Sequence, residues 1–203
     1  HLYDGCLLLQ ATSRRLHLLV ALDWVRHPLW RRVIEHLCKA VDWPIMLRSE
    51  RLNPADTRGA QSAYQRDEAR GYMRRASAQA IQLLRQGEAL VIFPEAYPVI
   101  DPVSSPRAAT TVFLPFRSGF ARLLAWAEKD SRTHVALVPA GLRYILQNGR
   151  WQVTLRFGPP LSRQDFASTG ECIQAIEQRV RELSLQECPS VPPQTSRERE
   201  KTR

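Results

Sequence analysis

Two residues at the start of the chain, His1 and Asp4, have the side chains of a general base and its orienting partner. They are three positions apart, so they share a face on one turn of a helix. A carboxylate beside an imidazole fixes the ring tautomer and stabilises the imidazolium that forms when the ring takes a proton. The pair therefore predicts general-base chemistry, and the alternative is a terminal histidine without a role.

A second candidate region is the stretch 91–98, which reads V-I-F-P-E-A-Y-P. The apolar residues 90–93, closed by Pro94, predict a buried parallel strand. Glu95 follows the end of this strand, and open α/β sheets bind ligands in the crevice outside the carboxyl ends of their strands. Phe93, Pro94 and Glu95 are therefore candidate binding residues. In the alternative, Glu95 caps the next element.

Two arginines are candidate ligands for an anion. Arg48 stands at the carboxyl end of the predicted strand 44–48, which reads P-I-M-L-R. Arg117 precedes Ser118 and Gly119, which open a predicted helix with Ser118 as its N-cap. Backbone N–H groups at a helix start attract an anion, and a guanidinium beside them strengthens that preference. For each arginine the alternative is a solvated side chain.

Four short blocks follow one another along the chain: His1…Asp4, Met46-Leu47-Arg48-Ser49, Phe93-Pro94-Glu95 and Val138-Pro139-Ala140. Over roughly residues 1–165 their order and spacing resemble the blocks of the glycerolipid acyltransferase family, the enzymes that acylate glycerol-3-phosphate and lysophosphatidate. The order and spacing are more specific than any single block, because F-P-E alone is a weak signal.

The chain departs from the family pattern in two of these blocks. Two residues separate His1 from Asp4, where the family has four. Glu95 is followed by A-Y-P at 96–98, where the family has Gly-Thr-Arg, so the motif arginine is absent. Arg107 or Arg117 is expected to replace it, or the acceptor differs. The second departure bears on the identity of the acceptor more than on the acyl-transfer chemistry.

The resemblance implies an O-acyltransferase of phospholipid biosynthesis. His1 would be its base and Asp4 the partner of that base. The acceptor, a lysophospholipid or glycerol phosphate, would be held by six residues: Arg48, Phe93, Pro94, Glu95, Arg117 and Gly119. The acyl donor would be a thioester of coenzyme A or acyl carrier protein, with no metal or bound cofactor. The expected location is the cytoplasmic face of a membrane with an anionic surface.

Two other functions stay open. The altered F-P-E-A-Y-P block favours an acyltransferase of the same fold with another acceptor, such as an ornithine- or glycolipid-type hydroxyl. The shortened His/Asp spacing favours a non-catalytic relative that binds phospholipid or a partner protein.

The composition is strongly basic, with 29 lysines and arginines against 20 aspartates and glutamates and a net charge of +9. Such a surface attracts an anionic membrane or nucleic acid. Nucleic-acid binding is not expected, because the sequence has no recognition motif and no stripe of interleaved aromatic and basic residues. The four cysteines include no C-x-x-C pair, so neither a disulfide framework nor a zinc site is predicted. Cys6 and Cys38 are expected to be buried.

Predicted strands and helices alternate, which indicates an α/β fold with a mixed, mainly parallel sheet flanked by helices. The predicted elements include a helix that opens near Pro28, a helix over 71–86 with Met73, Ala76, Ala80 and Leu84 inward and Gly87 as its C-terminal cap, and a strand over 135–138. A hairpin is predicted across Asn148-Gly149, with Trp151, Val153, Leu155 and Phe157 inward, and Ser168–Glu171 is a capping-box pattern before the last helix. Within this fold, His17 and Asp23 are interpreted as structural. We expect one domain over residues 1–186 and a disordered tail over 187–203. Because the chain begins with histidine, we also expect that its natural N-terminus is missing.

One predicted helix carries an apolar stripe that is interpreted as core. Its members are Leu29, Trp30, Val33, Ile34, Leu37, Cys38 and Val41. In the alternative, Trp24, Trp30 and Trp43 lie beside arginines at a lipid interface.

Overall fold

The computed structural model of the protein describes residues 2–48, 62–95, 113–130 and 132–185. Predictions on His1, residues 96–98, Arg107, the domain boundary at 186 and the tail 187–203 lie outside these ranges. The described part contains five α-helices and six strands. In chain order they are α1 (Leu2–Ala11), β1 (Leu16–Leu18), β2 (Val20–Ala21), α2 (Pro28–Ala40), β3 (Ile45–Met46), α3 (Glu68–Arg85), β4 (Ala89–Val91), α4 (Gly119–Ala127), β5 (Ala140–Gln147), β6 (Arg150–Phe157) and α5 (Thr169–Leu185).

The described strands form three pairs, of which two are parallel. Strand β1 lies parallel to β4, and β2 lies parallel to β3 with Ala21 opposite Met46. Strands β5 and β6 are antiparallel. The predicted α/β class is confirmed, whereas the described strands form three separate pairs and not the one mixed, mainly parallel sheet that was predicted. The predicted strand at 135–138 is wrong, because Leu137 makes only an isolated bridge to Leu161 there.

The predicted hairpin between β5 and β6 is confirmed. Its turn places Asn148 at φ 52° and Gly149 at φ 73°, the left-handed backbone that a tight two-residue hairpin turn requires. Four side chains of β6 are predicted to point inward. Val153 and Leu155 are half-buried, whereas Trp151 and Phe157 are exposed.

Helix α3 is longer at its start than the predicted 71–86, because Asp67 caps the backbone N–H of Glu68. Gly87, at φ 78°, ends the helix as predicted. The predicted inward side chains Ala76 and Ala80 are buried, whereas Met73 is exposed. These alanines let α3 approach the strands closely.

The apolar stripe of α2 is mostly exposed, so its interpretation as core is wrong. The side chains of Ile34 and Cys38 do face the body of the protein. Arg31 on the same side donates to Glu68 of α3 at 2.7 Å. This ion pair and the two apolar contacts set the rotation of the helix about its axis. The rest of the stripe is turned away from the body and is exposed: Leu29, Trp30, Val33, Leu37 and Val41.

One hydrophobic cluster surrounds the ends of β2 and β3. Leu22, Val25 and Leu47 are its most buried members, each about 1–2% exposed. Of the two cysteines expected to be buried, Cys38 is buried and Cys6 is exposed. Gly5, beside Cys6, is the residue of α1 that lies against Leu18 of β1.

Candidate functional site

A cavity of about 2150 Å³ lies between α1, the parallel strands β1 and β4, the start of α4 and strand β5. Most of its wall is apolar. The carboxyl end of β4 opens into it, so the residues that follow this strand form part of the wall. Parallel strands deliver their carboxyl ends to one edge of a sheet, which is why such an edge is a common ligand site.

Every predicted site residue within the described ranges lines this cavity. These residues are Asp4, Arg48, Phe93, Pro94, Glu95, Arg117 and Gly119. Val138, Pro139 and Ala140, from the last of the four blocks, line it as well. His1 lies outside the described residues, so its position relative to Asp4 stays a prediction.

A backbone hydrogen bond joins the F-P-E block to the segment that opens α4. The N–H of Arg117 donates to the carbonyl oxygen of Pro94 at 3.0 Å. The neighbouring N–H of Phe116 donates to the carboxylate of Glu177 on α5 at 2.9 Å. The segment is therefore held from two sides at the cavity wall. Ser118 takes the predicted N-cap position, but its side chain makes no capping hydrogen bond.

Asp23 and Arg48 form a buried ion pair at the carboxyl ends of β2 and β3. Arg48 Nε donates to Asp23 Oδ1 at 2.9 Å, and Arg48 Nη2 donates to Asp23 Oδ2 at 2.8 Å. The arginine side chain is 9% exposed and the aspartate side chain is fully buried. Such a two-pronged pair fixes the plane of the guanidinium and matches its charge. Arg48 thus reaches the cavity with its charge matched by Asp23, and its role toward a phosphate stays a prediction.

Sequence reasoning interprets Asp23 as structural and does not predict its pair with Arg48, although a signal for this pair exists. Strands β2 and β3 are paired with Ala21 opposite Met46, and Asp23 and Arg48 each follow that pair by two residues. A carboxylate and a guanidinium at the ends of neighbouring parallel strands therefore meet. The signal depends on knowing that β2 and β3 are neighbours.

Tyr144 of β5 holds Asp4 against the cavity wall. Its hydroxyl donates to Asp4 Oδ1, and both residues line the cavity. Burial raises the pKa of the Tyr144 hydroxyl, and the hydrogen bond to Asp4 and the negative charge of Asp4 raise it further. The phenol therefore stays neutral and keeps donating to Asp4. No sequence signal links these residues, which are 140 positions apart.

Neither a metal cluster nor a membrane-spanning helix is found in the part of the chain that the structure describes. Within residues 2–48, 62–95, 113–130 and 132–185 no three His, Cys, Asp or Glu side chains converge as metal ligands. None of the described helices combines the length and the apolar character needed to cross a bilayer.

No protein-family model, curated protein or solved structure was found that matches this chain. The site is therefore defined by its geometry alone. It consists of one large apolar cavity, a carboxylate that accepts from a tyrosine, a buried arginine–aspartate pair and a strand end joined to a helix start.

Proposed function

We propose that the protein is an acyltransferase. It would move a fatty acyl group from a thioester of coenzyme A or acyl carrier protein to a hydroxyl of a glycerolipid phosphate such as lysophosphatidate. The observation that carries this proposal is the cavity. Described residues from each of the four blocks line it, although the blocks are far apart in the sequence: Asp4, Arg48, Glu95 and Pro139.

The size and lining of the cavity support a lipid substrate. Pockets for small molecules typically have volumes of about 300–1,000 Å³. The cavity of about 2150 Å³ exceeds that range. An acyl chain needs apolar surface along its length, and the strands and helices around the cavity supply it. A polar acceptor would lie at the carboxyl end of β4, near Glu95 and Arg117.

In the proposed reaction His1 takes the proton of the acceptor hydroxyl. The acceptor oxygen then attacks the thioester carbonyl carbon and forms the new C–O bond. The C–S bond breaks as the tetrahedral intermediate collapses, and the thiolate takes the proton back from His1. The products are an ester and a free thiol. Asp4 would support the imidazolium, and a backbone N–H group at the cavity wall would stabilise the oxyanion.

The two arginines would contact the acceptor from different elements. Arg117 stands at the start of α4, where backbone N–H groups and a guanidinium together favour a phosphate. The charge of Arg48 is matched by Asp23, so Arg48 would contribute to the shape of the binding site and to its hydrogen bonds more than to its net positive charge.

A second candidate is an acyltransferase whose acceptor has no phosphate. The ion pair between Arg48 and Asp23 favours it, because that pair removes one of the two positive charges expected for phosphate binding. The replacement of the motif arginine within 96–98 points the same way.

The test is release of free thiol from an acyl-coenzyme A by the purified full-length protein. The acceptors are glycerol-3-phosphate, lysophosphatidate and a lysolipid without phosphate. His1→Ala should lower turnover about 10²–10⁴-fold, the usual contribution of a general base. Arg117→Ala should lower kcat/KM roughly ten- to hundredfold for phosphorylated acceptors only, since a hydrogen bond to a charged group is lost.

The matched control is Arg74→Ala, because Arg74 is an exposed arginine of α3 outside the cavity wall. It should leave turnover unchanged. A preference for the acceptor without phosphate, indifferent to Arg117→Ala, would establish the second candidate. Absence of thiol release with every acceptor would overturn both candidates.

A further inference from the structure

Helix α2 presents an apolar surface to solvent, which we call the α2 face. It consists of Leu29, Trp30, Val33, Leu37 and Val41, whose exposed fractions are 62%, 63%, 48%, 59% and 41%. Trp24, in the loop that leads into the helix, is 58% exposed. Single exposed apolar side chains are ordinary, whereas five of them along one side of a helix, a tryptophan among them, mark an interaction site.

The orientation of α2 is fixed, so this exposure is a stable property of the fold. Arg31 binds Glu68 and the hydroxyl of Tyr72 on α3, and it also binds Glu35 on its own helix. Cys38 is buried on the same side. Rotating the helix to hide the α2 face would break these contacts and expose Cys38.

The border of the α2 face is positively charged. Arg26, Arg32 and Lys39 are exposed, and none of them forms an ion pair with another residue in the described part of the chain. The nearby carboxylates are already engaged. Glu35 accepts from Arg31 and from Tyr72, and Asp42 is paired with Arg15. The surface therefore combines apolar side chains with positive charge.

We propose that the α2 face lies in the headgroup region of an anionic bilayer. An amphipathic helix with tryptophan and leucine on one side and cations beside them is the composition of helices that lie in the membrane interface. A protein partner would need a matching apolar surface, whereas a bilayer supplies apolar depth and anionic headgroups together. The cations Arg26, Arg32 and Lys39 would contact lipid phosphates.

Trp24, in the loop that leads into α2, is an exposed residue at the cavity wall. The indole N–H of Trp24 donates to the carbonyl oxygen of Ala21 at 2.9 Å, which fixes the ring at the end of β2. Trp24 also lines the cavity, as do Ala21 and Arg48. A lipid leaving the bilayer beside α2 would thus reach the cavity along apolar surface. Only the passage of a lipid from the bilayer into the cavity rests on the proposed acyltransferase function.

The test is co-sedimentation of the full-length protein with vesicles of phosphatidylcholine alone and of phosphatidylcholine mixed with phosphatidylglycerol. We expect binding to the mixed vesicles and much weaker binding to phosphatidylcholine alone. Leu37→Gln and Trp30→Gln should each lower the partition coefficient about tenfold or more, because each removes a large inserted apolar group. Arg32→Gln with Lys39→Gln should lower it about fivefold per charge and reduce the preference for anionic lipid.

The matched control is Leu146→Gln. Leu146 is 59% exposed on β5, as Leu37 is on α2, and it does not line the cavity. Its substitution should leave vesicle binding unchanged. Thermal unfolding of each variant checks that the fold is retained.

Three results would overturn the proposal. The first is that the unsubstituted protein does not bind mixed vesicles, and the second is that Leu146→Gln and Leu37→Gln lower vesicle binding equally. The third is self-association that Leu37→Gln abolishes, without any vesicle binding. The last result would assign the face to a second copy of the chain. Thiol release with water-soluble glycerol-3-phosphate is measured in parallel. Turnover without vesicle binding defeats the membrane proposal alone, and vesicle binding without turnover of any of the three acceptors defeats the acyltransferase proposal alone.

Discussion

The molecule buries charged groups at the ends of β2 and β3, whereas it exposes apolar groups on the outer side of α2. At the strand ends, the charged side chains of Asp23 and Arg48 are withdrawn from water. On α2, Trp30 and Leu37 are more than half exposed. Most folded proteins avoid both arrangements, and such exceptions are the informative ones. The buried charges are compensated by each other. The exposed apolar groups have no such compensation within the described part of the chain.

This contrast shows which region is stabilised by contacts within the chain and which region is free to bind something else. Removing either member of the buried pair leaves a charge in a site that water does not reach, so the cost falls on folding. Removing an exposed apolar group of α2 costs folding little, so its importance would show only in binding. Stability measurements and binding measurements should therefore separate the two regions.

The largest effect is expected from Asp23→Ala. Loss of the carboxylate leaves the buried guanidinium of Arg48 unpaired, and breaking a buried ion pair in this way costs about 3–5 kcal/mol. Urea unfolding followed by circular dichroism measures the change. The control is Arg15→Ala, which removes an ion pair with Asp42 whose side chains are 60% and 53% exposed. That loss should be about 1 kcal/mol or less. Similar losses for the two variants would mean that Arg48 reaches solvent when Asp23 is absent.

A second comparison substitutes one leucine in each of the two regions. Leu22 is 1% exposed in the cluster around the strand ends, whereas Leu37 is 59% exposed on α2. Leu22→Ala should lower the free energy of unfolding by about 2–5 kcal/mol, because it removes buried methyl groups and leaves a cavity. Leu37→Ala should change it by about 0.5 kcal/mol or less. A large loss for Leu37→Ala would show that α2 is covered in solution by another part of the chain.

The smallest effect is expected from Tyr144→Phe at the cavity wall. Removing the hydroxyl leaves Asp4 without this donor, at a cost of about 1.5 kcal/mol near neutral pH. The variant should also change the alkaline behaviour. Because folding raises the pKa of Tyr144 above its ordinary value of 10.0, the folded state keeps a proton that the unfolded state releases. The stabilisation is therefore full below about pH 10 and is lost as the pH rises further.

Urea unfolding on either side of pH 10 measures this dependence. The stability of the unsubstituted protein should fall more steeply with rising pH than that of Tyr144→Phe. A residual slope should remain in the variant, since burial also raises the pKa values of Tyr64 and Tyr72. Identical slopes would mean that the Tyr144 hydroxyl is equally free to ionise in the folded and unfolded states.

Sequence patterns located most helices and the hairpin because these depend on local signals. The turn at Asn148 and Gly149, the C-terminal cap at Gly87 and the start of α2 at Pro28 are each specified by residues with a particular backbone preference. The pattern Ser168–Glu171 likewise starts α5, with Ser168 Oγ accepting from the N–H of Glu171. The strand predicted at 135–138 was wrong because an apolar run alone does not provide a neighbouring strand.

The predicted site residues that the structure describes all line one cavity, but the prediction lacked two of their contacts. Strand-end reasoning selected Arg48 and Glu95, and both line the cavity. It did not select Asp23 or Tyr144, which hold Arg48 and Asp4. Their partners are distant in the sequence, so only the pairing of β2 with β3 and the position of β5 bring them together.

The sequence by itself determined the local elements, the excess of positive charge and the order of the blocks that meet at the cavity. These follow from backbone preferences and composition, which act over a few residues. Only the tertiary structure decided that Arg48 is matched by Asp23, and that Leu37 of α2 is exposed although it belongs to an apolar stripe. The physical reason is that burial depends on which side of an element meets its neighbour. For α2 that side carries Ile34, Cys38 and the ion pair between Arg31 and Glu68, a contact across 37 positions of the chain.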